Sequence, residues 1–128
     1  MMDDPLSEQG GAELSGRHIL VTEDEYLIAD ALVEGLERFG ALVVGPFPTV
    51  EAALTALTRE PKLDCAVLDI NLRGEMVYPL ADALQARGVP FIFATGYDAT
   101  VISPRFGHVR RYEKPVTPSA IVRALRRL

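Results

Sequence analysis

The stretch Ile19-Leu20-Val21-Thr22-Glu23-Asp24-Glu25 drives an apolar strand segment straight into three consecutive carboxylates at the point where a helix should begin. Acids packed together at the edge of a core repel one another, and each is pushed toward its protonated form unless a cation is bound among them. A hard divalent metal is the natural occupant. Further along, Cys65-Ala66-Val67-Leu68 ends on Asp69, and Pro90-Phe91-Ile92-Phe93-Ala94 ends on the hydroxyl of Thr95. Lys114-Pro115 follows a shorter mixed segment. An acid pair, a lone acid, a hydroxyl and a lysine, each at the C-terminal end of a strand, describe a metal-assisted phosphoryl site.

The periodicity around these points alternates between strand and helix. His18 to Thr22 reads as a strand, and Glu25 to Phe39 as a helix with Leu27, Ile28, Ala31, Leu32 and Leu36 on one face, stopping at Gly40. Ala41 to Val44 reads as a second strand ended by Gly45-Pro46, and Val50 to Arg59 as a helix capped by Thr49. The continuous apolarity of Leu63 to Ile70 predicts a third strand buried on both faces, as in a parallel sheet. A helix from about Pro79 to Gly88, a strand from Pro90 to Thr95 and a strand from about Val109 to Glu113 follow. Thr117-Pro118 opens a last helix with Ile121, Val122, Leu125 and Leu128 inward.

Pro104 and Gly107 interrupt the fourth helical position, so helix four is predicted to be short or irregular, and Tyr97 to Arg111 to be the most mobile part of the fold and its switch surface. The reading is an α/β fold: a doubly wound, five-stranded parallel sheet of flavodoxin-like order 2-1-3-4-5 with helices on both faces. That order makes strands one and three neighbours at the switch point, which juxtaposes Glu23, Asp24 and Asp69.

The chain has 128 residues, about one domain, and its hydrophobic fraction of 48% supports a core. Residues 1–16, with Pro5, Gly10-Gly11 and no period, read as a flexible tail, and residues 17–128 as the folded unit. A net charge of -5 gives no argument for nucleic acid or an anionic membrane as partner. No apolar run is long enough to span a bilayer and no signal pattern opens the chain, so a cytoplasmic location is expected. Cys65 lies inside an apolar strand, where a buried, inert thiol is expected, and His18 and His108 lack ligand-like company.

These residues together resemble the receiver domains of two-component response regulators, over about Arg17 to Leu128. The resemblance implies Mg²⁺ bound by Glu23 and Asp24, phosphate accepted from a phosphohistidine by Asp69, and a phosphoryl group held by Thr95 and Lys114. It further implies that Asp69 and the backbone carbonyl of Asn71 complete the metal shell. Implied partners are a histidine kinase and a histidine phosphotransfer protein. Phe93-Ala94-Thr95-Gly96-Tyr97 resembles the FAT GUY subgroup, whose members are often single-domain regulators. Two departures stand out. Many receivers carry an aromatic residue three positions before the lysine, where Arg111 stands here, and many have a proline before the glycine of Leu72-Arg73-Gly74. The chain is expected to end with its last helix, so output comes through protein contacts.

The chemistry of the residue types agrees. A carboxylate is a weak nucleophile, so Asp69 needs positive charge near the incoming phosphoryl oxygens, which Mg²⁺ and Lys114 supply. Thr95 can donate one hydrogen bond, and Gly96 leaves room for the group to arrive. A metal-dependent aspartyl phosphatase is the alternative, but it would carry a second acid two residues past Asp69, where Asn71 stands. A non-phosphorylated interaction module of the same fold is the other, against which the five side chains argue. A nucleotide-binding flavodoxin-like protein would need a glycine-rich phosphate loop after strand one, and none is there.

Overall fold

A computed structural model describes residues 10–96 and 102–128. Five strands form one parallel sheet: β1 His18–Thr22, β2 Leu42–Phe47, β3 Cys65–Leu68, β6 Phe91–Thr95 and β7 Arg111–Glu113, in the order β2-β1-β3-β6-β7. This is the doubly wound order expected from the sequence. Between β3 and β6 lies a small antiparallel pair, β4 Asn71–Leu72 and β5 Glu75–Met76. Among the described residues three helices connect strands, α1 Tyr26–Arg38, α2 Val50–Arg59 and α3 Tyr78–Ala86, and a fourth, α4 Pro118–Leu125, follows β7. A 3₁₀ turn, Pro104–Phe106, precedes β7.

The central strands are apolar on both sides because both sides are covered. Leu20, Ala66, Leu68, Phe91 and Phe93 face α2, α3 and Phe106, whereas Ile19, Val21, Val67, Ile92 and Ala94 face α1 and α4. Alternation along each strand therefore feeds two cores rather than one. Helices α1 and α4 approach closely because Gly35 lies under Pro118, and a β-carbon there would collide with the proline ring. Thr49 and Thr117 cap α2 and α4, each side chain accepting from an N–H three residues on. Arg87 closes the other end of α2 by donating to the carbonyls of Leu57 and Glu60 at 2.6 and 2.7 Å.

Three local expectations are corrected. Residues 10–16 do not belong wholly to a tail: Leu14 is fully buried, and the amides of Gly11 and Leu14 donate to the carbonyls of Arg38 and Phe39. Apolar burial and these bonds at the end of α1 move the folded boundary ahead of Arg17. In α1 the buried residues are Ala29, Leu32, Gly35 and Leu36, while Leu27 is 80% exposed and Ile28 sits at the surface. The inner face is thus turned relative to the predicted stripe. β2 runs on through Gly45-Pro46 to Phe47, which an edge strand permits because proline's missing donor can face outward. In the segment where a short or irregular fourth helix is expected, the described part holds only the 3₁₀ turn Pro104–Phe106, in keeping with that reading; Phe106 is fully buried there, and the Ser103 amide donates to the Tyr78 hydroxyl at 2.8 Å. Residues 97–101 lie outside the described residues.

Candidate functional site

The C-terminal ends of β1, β3, β6 and β7 bring the sequence-predicted side chains to one edge of the sheet. Register does this. β1 pairs Thr22 with Leu68 of β3, so Glu23 and Asp69 follow side by side; β6 pairs Thr95 with Glu113 of β7, so Lys114 comes next. The Lys114 amide donates to the Thr95 carbonyl at 2.9 Å, which fixes the last strand's end against β6. Carboxylate oxygens of Glu23, Asp24 and Asp69 lie within 4.8 Å of one another. A cleft of about 160 Å³ opens beside them, lined by Asp24, Glu25, Asp69, Asn71, Gly96 and Lys114.

Lys114 is the cation of this cluster. Its Nζ lies 2.5 Å from Glu23 Oε1 and 2.8 Å from Asp69 Oδ2. Burial opposes its charge, but the bonds to Asp69 and Glu23 outweigh that and hold the ammonium above its usual range. One lysine does not neutralise three acids. Burial accordingly pushes the Asp69 carboxyl from its ordinary 3.8 up to about 6, against the lowering effect of Lys114 and with a further push from Glu23. An oxygen-only donor set with excess negative charge, buried at Glu23 and Asp69 and half-buried at Asp24, fits a hard divalent cation such as Mg²⁺.

The supporting contacts explain why these acids stay in place. Glu23 Oε2 accepts from the Glu25 amide at 3.1 Å as α1 begins, so its other oxygen is presented to Lys114. The Asp69 amide donates to both the carbonyl and the hydroxyl of Thr22, at 3.2 and 3.1 Å. Thr22 is a positioning residue that the sequence reading passed over as an ordinary strand position; a buried hydroxyl next to an acid run was the available signal. Asp69 Oδ1 accepts from the Asn71 amide at 3.3 Å. In a two-residue hairpin Leu72 and Glu75 flank the turn, which leaves Asn71 opposite Met76 with its N–H and C=O directed away from the partner strand. The Asn71 carbonyl therefore shares the edge that faces Asp69.

Thr95 is fully buried at the end of β6, one residue before Gly96 of the cleft. The remaining candidates fall elsewhere. Burial raises the Cys65 thiol to about 11, consistent with an inert thiol. His18 lies at the opposite end of β1 beside Asp64, and His108 lies against Gln85. Arg111 is exposed on β7, while Tyr112 packs toward the core shared by α1 and α4. Tyr97 lies outside the described residues.

Neither a protein-family model nor a curated protein matches the sequence. Solved structures do. SdrG from Sphingomonas melonis Fr1 is 39% identical, with 91% of this chain and 98% of that chain covered and a TM-score of 0.74. The BeF3-activated conformation of SdrG from Pseudomonas melonis Fr1 is 38% identical, covering 90% and 94%, at 0.71. A CheY-like response regulator receiver domain protein from Methanospirillum hungatei JF-1 is 26% identical, covering 87% and 91%, at 0.73. Fold and site together define a receiver-type α/β domain. The chain belongs to the response regulator receiver family.

Proposed function

We propose that this receiver accepts a phosphoryl group from a phosphohistidine onto Asp69 and signals through protein contacts. The observation that carries the reading is Lys114 bridging Asp69 and Glu23 within a cluster of three carboxylates at the sheet's C-terminal edge. An Asp69 oxygen forms the new P–O bond as the donor's P–N bond breaks, and the imidazole leaves with the electron pair. Lys114 places positive charge where the phosphoryl oxygens arrive, and Thr95 supplies a hydroxyl donor as Gly96 leaves space beside it. Glu23, Asp24, Asp69 and the Asn71 carbonyl would hold Mg²⁺, which neutralises phosphoryl charge when bound.

A protein donor needs a surface to rest on. Tyr26 and Leu27 are 77% and 80% exposed immediately after the acid run, and Leu27 lines an apolar groove with Ala31, Val116 and Pro118. Such a face supports docking of a histidine kinase or a histidine phosphotransfer protein. Among the described residues no helix is long and apolar enough to cross a membrane. The FAT GUY subgroup stays a reading of Phe93 to Tyr97. Incubation with a small phosphodonor and Mg²⁺, followed by intact-mass measurement, tests the proposal. A stable single adduct is expected; multiple turnover without one marks a phosphatase, and no adduct marks a pure binding module.

Mg²⁺ should also stabilise the free protein, since it relieves repulsion among three acids that Lys114 alone leaves uncompensated. Binding to the folded state at roughly ten times Kd adds about 1.4 kcal/mol. Melting temperature should rise accordingly across a Mg²⁺ titration, and Asp24→Asn should remove most of that rise. A flat titration of folded protein would count against the cation site.

A further inference from the structure

The pair β4–β5 is joined by the two residues Arg73 and Gly74, both at positive φ, 53° and 86°. That is the backbone of a type I′ turn, for which Asn-Gly or Asp-Gly is the usual sequence. Arg73 is the one described non-glycine residue held there, and such strain persists only where surrounding contacts over-determine it. The contacts are specific. The two tip amides of such a turn ordinarily face water, yet here the Arg73 N–H donates to Asp24 Oδ2 at 2.9 Å and the Gly74 N–H donates to Asn71 Oδ1 at 2.8 Å. Both acceptors belong to residues placed in the cation shell above.

We propose that the Arg73-Gly74 tip is a positioning element for the cation: its two amides hold Asp24 and Asn71 so that Asp24 Oδ1 and the Asn71 carbonyl are presented together. The inference rests on the Mg²⁺ reading of the site and goes beyond it in assigning the hairpin a role. Asp24 lies at the half-exposed start of α1 and otherwise has rotamer freedom to lose on binding a metal; one backbone amide on Oδ2 removes that freedom beforehand. Asn71's side-chain oxygen, committed to the turn, is kept from competing for the cation, and its carbonyl is left to the edge facing Asp69. The role belongs to the backbone. The Arg73 side chain is exposed and does not line the cleft.

The experiment measures Mg²⁺ affinity of the full chain from amide chemical shifts, together with melting in chelator. Gly74→Val forces a β-branched residue into positive φ; a β-carbon there meets nothing within 4 Å, so the damage is confined to the turn's backbone. It should weaken Mg²⁺ about tenfold, the scale on which outer-shell partners act. Arg73→Gly keeps the N–H and removes the strain, so it should bind Mg²⁺ at least as tightly as the wild type, and Arg73→Ala should stay within about twofold. In the wild type the Arg73 amide shift should move in step with those of Asp24 and Asp69. Wild-type affinity in Gly74→Val, or an Arg73 amide indifferent to Mg²⁺ while the acids respond, overturns the positioning role alone. A wild-type protein whose acids show no Mg²⁺ response removes the cation reading itself, and this inference with it.

Discussion

Asp69→Asn is expected to abolish Mg²⁺-dependent phosphoryl uptake completely while making the metal-free protein more stable at neutral pH. The first half follows from chemistry, because an amide offers no anionic oxygen to form the new bond. The second follows from linkage. Burial raises the Asp69 carboxyl in the folded state to about 6 from 3.8, so the folded protein binds the proton more tightly than the unfolded chain does. Stability therefore falls as pH climbs from about 4 to about 6 and stays lowered above that, by an amount on the order of 2–3 kcal/mol. Asparagine resembles the protonated acid and cannot ionise, so the variant should lose this slope. Lys114 is raised as well, so its contribution is likewise lost as pH climbs, but only in alkali, outside this window. Urea denaturation in chelator across that range, for both proteins, gives the comparison. Phosphate uptake by the variant at the wild-type rate would remove Asp69 from its role, and parallel pH profiles would remove the linkage argument.

The site was legible because each of its side chains ends an apolar run, and the ends of parallel strands converge by topology. Glu23, Asp24, Asp69 and Lys114 needed only the strand order to be brought together. What stayed hidden depends on backbone conformation and on contacts across the chain. β4–β5 has no place among the predicted elements because Arg-Gly lacks the Asn-Gly signature, and its tip amides find partners that no local pattern announces. The α1 stripe was misjudged for a different reason: Leu27 and Ile28 satisfy helical spacing, yet they emerge next to the acids on a face that α4 leaves uncovered. β2 was cut short at Gly45-Pro46 because an edge strand cannot be told from a central one by sequence alone. Leu14 was assigned to a tail since a lone leucine carries no period.

Phe106→Ala should destabilise the domain by about 3–5 kcal/mol, the range for emptying a buried phenylalanine site. No periodic pattern singles out this residue, which lies between Pro104 and Gly107 in a stretch without a helical stripe. In the fold it is fully buried and holds three aromatic neighbours: Tyr78 stacked at 5.3 Å, and Phe93 and Phe91 edge-on at 6.0 and 6.2 Å. The Arg105 guanidinium lies 4.7 Å from the ring centre and pairs with Asp82 of α3, but that pair is half exposed and adds little. The stabilisation is therefore packing. Because Phe91 and Phe93 belong to β6, loss of the ring loosens the strand that ends on Thr95 as well as the turn around Pro104. Phe106→Leu keeps most of the volume and should cost markedly less, roughly 1.5 kcal/mol or below. Denaturant unfolding gives the magnitudes, and amide exchange gives the place: protection in Phe106→Ala should fall first across residues 102–110. Unfolding of both variants within about 0.5 kcal/mol of the wild type would show that this segment is not anchored through Phe106.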